Sequence, residues 1–153
     1  KKKLKKNKAI FKTVYAPGSI CAKVYNPDKT LWGEDRLCTA GAETQLTVEA
    51  EETVLRADGQ DLCFLNICLT DAKGELKPAK DLNVRVQVDG DAVVLAGLGS
   101  ARTRTEETFH ANQHLTHFGR AQAILRAGTE AGAAKVTVSC DGCEPITVEI
   151  QAK

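Results

Sequence analysis

Methionine is absent from these 153 residues, and aromatic side chains make up only 5% of them. Any core must therefore be assembled from Val, Leu, Ile and Ala, within an ordinary hydrophobic content of 42%. No apolar run approaches the ~20 residues that a membrane-crossing helix needs. No stretch has the order of a signal peptide either, although in a fragment that says nothing about a parent chain. Acidic residues are missing from the first eight positions, which hold six lysines, so the net charge of +1 leaves the rest of the chain at −5. A nucleic-acid binder spreads basic residues along a face with aromatics between them, and an acidic remainder repels phosphate. Neither nucleic acid nor membrane is thus an expected partner, and the lysines read as a solvated hairpin tip or edge, where they also discourage aggregation.

A disulfide framework is lacking too. Cys63 and Cys68 are five apart on one strand and point to opposite faces, so they cannot easily pair. Most of the six cysteines read as small buried hydrophobes, which favours a reducing compartment such as the cytoplasm.

What is present centres on residues 56–74. Cys63, Leu65, Ile67 and Leu69 recur at period two and mark one buried face of a long strand, with turn chemistry at Asp58-Gly59 and at Asp71-Ala72-Lys73-Gly74. Burying three such aliphatic side chains contributes about 1.5–3 kcal/mol each, enough to fix which face points inward.

Before this strand, residues 10–15, 19–25 and 33–39 read as three short strands separated by Ala16-Pro17-Gly18 and Asn26-Pro27-Asp28-Lys29. About 40 residues rarely stand alone, so this segment must lean on something else. Small residues at 39–43 read as a linker, dividing the chain into a partial sandwich segment, 1–41, and a second module, 42–153.

In the second module Leu46, Val48 and Ala50 alternate with polar residues, and residues 53–55 form a brief strand. Val84, Val86 and Val88 alternate again, Asp89-Gly90-Asp91 turns, and residues 92–96 form an apolar run that Gly97-Leu98-Gly99 ends. Residues 100–118 read as loop and irregular strand, and the alanine-rich 121–127 is ambiguous. Ala134, Val136, Val138 and Cys140, the Asp141-Gly142 turn, and Ile146, Val148 and Ile150 complete the pattern. About seven short strands with turns every 8–12 residues predict an all-β, immunoglobulin-like antiparallel sandwich.

Candidate chemistry is sparse. Cys140-Asp141-Gly142-Cys143 has metal-knuckle spacing, but Cys21 and Cys38 do not supply a second ligand pair. A redox pair works best at a helix N-terminus, whereas Asp-Gly predicts a hairpin turn. His110, His114 and His117 form His-x3-His-x2-His; on a helix His110 and His114 would share a face and could bind zinc, but no carboxylate sits beside them in a Glu-x-x-His arrangement, so they read as surface and partly packed histidines. Glu51-Glu52 and Glu106-Glu107 splay to opposite sides if extended, while Asp58 and Asp61 sit in a turn where aspartate caps amides. None occupies the apolar setting that raises the pKa of an acid catalyst. Ser100 lacks the spacing of a nucleophile elbow, and Gly97-Leu98-Gly99 opens no helix to cradle phosphate. No catalytic, cofactor-binding or metal-binding residue is therefore assigned, and no cofactor is expected.

Tyr15-Ala16-Pro17-Gly18, Ala22-Lys23-Val24-Tyr25 and Thr39-Ala40-Gly41 resemble the end of the small sandwich domain that follows the catalytic barrel in family 2 glycoside hydrolases of the β-galactosidase type. Leu55-Arg56-Ala57-Asp58-Gly59-Gln60-Asp61-Leu62, Asp71-Ala72-Lys73-Gly74, Phe118-Gly119-Arg120-Ala121, and Ala131-Gly132 through Val136-Thr137-Val138-Ser139 resemble the terminal immunoglobulin-like domain. The likeness covers nearly the whole chain. It implies a truncated first sandwich and a non-catalytic accessory region of a β-galactosidase-like or β-glucuronidase-like enzyme in carbohydrate metabolism. The partners it implies are the catalytic barrel and other domains of the parent, whose acid and nucleophile glutamates match no position here. Bacterial adhesin repeats share the Ala-Asp-Gly and Asp-x-x-Gly turns, but residues 10–41 do not resemble such a repeat. A carbohydrate-binding module needs an aromatic platform, and Trp32, Tyr15 and Tyr25 all fall in the first segment.

Overall fold

A computed structural model describes residues 1–153, and no residue lies in a helix. The chain divides into two compact units, Lys1–Thr39 and Ala40–Lys153. In the first, β1 (Ser19–Tyr25) and β2 (Leu31–Cys38) form a two-stranded antiparallel sheet. The lysine-rich start is a tight turn in which Lys5 and Lys8 exchange backbone hydrogen bonds while Lys6 and Asn7 adopt left-handed conformations. Residues 10–15 are not a strand, contrary to their alternation. Alternation states which side chains would share a face, but a strand also needs a neighbouring backbone to satisfy its amides, and none pairs with this segment.

The second unit holds β3 (Gln45–Ala50), β4 (Val54–Leu55), β5 (Leu62–Thr70), β6 (Asn83–Asp89), β7 (Val93–Gly99), β8 (Gln113–Leu115), β9 (Arg120–Ala127), β10 (Gly132–Cys140) and β11 (Ile146–Ala152). They make a four-stranded sheet ordered β3-β5-β9-β7 and a five-stranded sheet ordered β4-β11-β10-β6-β8. All pairs are antiparallel except β4 with β11.

Leu65, Ile67 and Leu69 are wholly buried and Cys63 nearly so, which makes the period-two face of β5 the floor of the core. Val84 and Val86 of β6, Val136 and Val138 of β10 and Ile150 of β11 close over it. The alanine-rich segment resolves as β9, in the middle of the four-stranded sheet. Its Ala123 sits opposite Leu65, its Ala121 opposite Ile67, and its Leu125 opposite Cys63, so small and large side chains interleave across the pair. The apolar run after Ala92 does not stop at Gly97: a register shift between Leu95 and Gly97 resets the alternation, and β7 continues with Leu98 pointing inward.

Candidate functional site: the outer face of the four-stranded sheet

The two sheets differ on their solvent sides. On the five-stranded sheet the register alternates the buried row with Arg85, Gln87 and Asp89, Lys135, Thr137 and Ser139, and Thr147, Glu149 and Gln151. That face is largely polar across these three strands, with Thr137 and Thr147 hydroxyls 3.0 Å apart across the pair, while the edge strands β4 and β8 add Val54 and Leu115.

The four-stranded sheet is different. Phe64 pairs with Ile124, which pairs with Gly97, giving an apolar row across three strands. Beside it, Leu62, Arg126 and Val94 form a second row in which both aliphatic residues are exposed. A third row is polar: the Gln122 side-chain amide donates to Asn66 Oδ1 at 3.0 Å. Cys68 and Arg120 make the fourth.

Over this face lies a groove of about 450 Å³, lined among others by Asn66, Cys68, Phe109, Arg120, Gln122 and Ile124. Phe109 forms one wall and is held in three ways. Its carbonyl accepts from Leu98 N at 2.8 Å, its ring stacks on His114 at 5.6 Å, and ring atoms occupy the space that a Cβ on Gly99 would fill. Half of Phe109 remains exposed.

The three histidines are not brought together. His110 is exposed and His117 half-buried, whereas His114 is fully buried, contrary to the expectation of surface or partly packed positions. Register explains it: His114 of β8 sits opposite Val84, whose side chain points into the core. Its Nδ1 lies 2.9 Å from Leu115 O, its Nε2 has no partner, and Glu107 accepts from Leu115 N at 3.1 Å.

Of the other candidate carboxylates, Asp58 and Asp61 cap backbone amides. Asp58 accepts from Gln60 N and Asp61 N at 2.9 and 2.8 Å, and Asp61 accepts from Arg56 N at 2.9 Å. These backbone amides stabilise the charged forms and hold both carboxyls below the ordinary aspartate value. Glu52 and Glu106 are exposed, and Glu51 accepts only a 3.5 Å contact from the Asn66 amide.

Asp71 is the polar residue that pattern reasoning missed. Only 4% exposed, it accepts from Gly41 N at 2.7 Å, Lys73 N at 2.8 Å and Glu75 N at 2.9 Å. Lys77 Nζ donates to the carbonyls of Gly41, Ala42 and Glu43 at 2.6–2.8 Å. Together the two side chains clamp the linker segment 41–43 to the turn after β5. The Asp-x-x-Gly signature marked that turn, but nothing local marked its reach back across thirty residues.

Comparison with known proteins places this architecture. Over 143 residues the chain is 26% identical to the β-galactosidase BoGH2A of Bacteroides ovatus, covering 94% of this chain and 17% of that protein. A solved family 2 glycosyl hydrolase from Bacteroides cellulosilyticus superposes with a TM-score of 0.87 at 28% identity, over 92% of this chain and 18% of the other. A family 2 β-glucuronidase shares the fold, with a TM-score of 0.81 at 19% identity over 92% of this chain and 15% of that one. The chain thus spans less than a fifth of the length of these relatives. Residues 46–149 match the family model described as glycoside hydrolase family 2 C-terminal domain 5, and the chain belongs to that family.

Proposed function

We propose that this chain is a non-catalytic accessory region of a larger family 2 glycosidase, and that the outer face of its four-stranded sheet packs against another domain of the same enzyme. The parent hydrolyses an O-glycosidic bond, of the β-galactoside class by likeness to the Bacteroides ovatus enzyme. Its catalytic acids belong to the barrel outside this chain. The observation that carries the packing role is the asymmetry of the two sheet faces: one is largely polar across β6, β10 and β11, with Val54 exposed at its edge, and the other presents Leu62, Phe64, Val94, Ile124 and Phe109. A contiguous apolar surface of this kind marks an interaction site. The rival adhesin-repeat reading is disfavoured because likeness to the β-galactosidase extends over 94% of this chain, beyond the sandwich itself.

Two measurements test this. The isolated chain is expected to leave aryl-galactosides and aryl-glucuronides intact; turnover above buffer, abolished by changing any one carboxylate, overturns the non-catalytic reading. In the full-length parent, Ile124→Arg is expected to lower the temperature of thermal inactivation while leaving the unfolding midpoint of the isolated chain unchanged. Equal effects in both settings, or none in the parent, refute the packing face.

A further inference from the structure

Two thiols converge at the turn joining β10 to β11. Cys140 sits opposite Val84, whose side chain is fully buried, so it leaves its strand on the inner side together with Val136 and Val138. Cys143 follows a turn closed by its own N–H donating to Cys140 O at 3.3 Å, with Gly142 in a left-handed conformation. The Cys143 thiol donates to Thr44 O at 3.6 Å, and both cysteines pack half-buried against the core. Residues closed by such a turn have Cα atoms less than about 7 Å apart, within the span a disulfide bridges.

We propose that Cys140 and Cys143 form a reversible disulfide site, oxidised by exchange with a small-molecule disulfide of the glutathione class. The other four cysteines offer no equal. Cys63 is buried and Cys68 opens into the groove on the opposite face of the same strand. Cys21 sits opposite Arg36 and Cys38 opposite Ser19, so those two are offset along their hairpin.

The order of events follows from the surroundings. Burial first, and then the hydrogen bond and charge of the neighbouring Cys143 thiol, push Cys140 up to about 12. With Cys140 held protonated, exchange opens at Cys143: its thiolate displaces one thiolate from the external disulfide and forms a mixed disulfide. That step removes the Cys143 charge that opposed ionisation of Cys140. Cys140 then attacks the Cys143 sulfur and displaces the second thiolate. Two protein S–H bonds are lost, one S–S bond forms, and the external disulfide leaves as two thiols carrying both protons. Oxidation also removes the hydrogen that Cys143 donates to Thr44 O, so the redox state of the turn is coupled to the residue preceding β3.

The test equilibrates the whole chain in glutathione buffers of graded ratio, quenches in acid, blocks free thiols with N-ethylmaleimide and digests with trypsin. Residues 136–153 form one tryptic peptide containing Cys140, Cys143 and no other cysteine. The expected product is that peptide, unlabelled and two hydrogens lighter, regaining two labels after dithiothreitol. The folded chain is expected to reach it at roughly tenfold less oxidised glutathione than the urea-unfolded chain. Cys143→Ser is expected to abolish the lighter peptide while far-UV circular dichroism stays unchanged. A peptide carrying two labels, or glutathione adducts without an internal bond, overturns the proposal. So does closure in the folded chain that needs as much oxidant as in urea.

Discussion

Replacing Gly119 by alanine isolates a backbone requirement from side-chain packing. Phe118 and Gly119 have φ of 50° and 69°, and His117 and Arg120 exchange backbone hydrogen bonds of 2.8 and 3.1 Å around them. This is the two-residue turn with both central residues left-handed that suits a right-twisted hairpin, here carrying the chain from the five-stranded to the four-stranded sheet. An L residue in that region costs about 1–2 kcal/mol. At Gly119 a Cβ would also lie 2.6 Å from the carbonyl oxygen of Lys77, a backbone atom that cannot rotate away. Relief means displacing Gly119, whose carbonyl accepts from Leu69 N at 2.8 Å and whose amide donates to Asp81 at 3.0 Å. Each of those bonds is worth about 1 kcal/mol net. Gly119→Ala should therefore destabilise the second unit by about 3–4 kcal/mol. Gly142 is equally left-handed, at φ 76°, but has nothing within 4 Å of its Cβ position, so Gly142→Ala should cost only about 1–2 kcal/mol. Urea unfolding followed by far-UV circular dichroism measures both, and Gly119→Ala should lower the thermal midpoint by roughly 10–15 °C. If both variants lose the same stability, the close approach to Lys77 carries no weight and the reasoning fails.

At the adjacent position the sign reverses. Phe118 is exposed and left-handed without being glycine, so Phe118→Asn should stabilise by about 0.5–1 kcal/mol, and a lower urea midpoint would contradict the turn assignment. Backbone amides hold Asp58, Asp61 and Asp71 below the ordinary value of 3.8, chiefly those of Gln60, Arg56 and Gly41 respectively. A carboxyl whose pKa is depressed on folding adds stability that is complete above its unfolded value and lost as pH falls through its folded value. The urea midpoint should therefore hold from neutrality to about pH 4 and fall below it. Asp71→Asn should lower the neutral midpoint and flatten the acid limb, and an acid slope equal to that of the unchanged chain would dismiss the clamp.

What could be read from the residues followed side-chain size. Branched and long aliphatics on β5, β6, β10 and β11 announce their period, and Asp-Gly pairs announce the turns between them. In β9, alanine fills inward positions opposite leucine and isoleucine; a methyl group distinguishes neither face strongly, so the central strand of a sheet looked ambiguous. Residues 10–15 failed the other way, because their alternation is clear but no partner backbone exists to make them a strand. His114 illustrates a third limit. Its burial depends on pairing with Val84 thirty residues earlier, through a three-residue strand too short to show a period. The Asp71 and Lys77 clamp was hidden for the same reason, since both reach residues far away in sequence. The groove was least visible of all: it depends on the register shift in β7 and on Gly99 making room for the Phe109 ring.

The carboxylates favour the accessory reading on energetic grounds that stand apart from likeness to relatives. An acid catalyst working near neutrality needs its carboxyl raised by burial in apolar surroundings, with a second acid facing it across a cleft that admits a sugar. Asp28, Asp58, Asp61 and Asp71 are instead all pulled below the ordinary value, because Thr30 or neighbouring backbone amides donate to them. The groove over the four-stranded sheet has Arg120 as its only charged wall and no carboxylate. Its two amide side chains, Asn66 and Gln122, are already committed to each other. A second groove of about 450 Å³, beside β6 and β10, has Asp141 as its one carboxylate, with Arg85 lining it in place of a second acid. Asp58, Asp61 and Asp71, whose charged forms backbone amides stabilise, are tuned away from the raised acid that glycosidic cleavage calls for, as an accessory role in a larger enzyme leads one to expect.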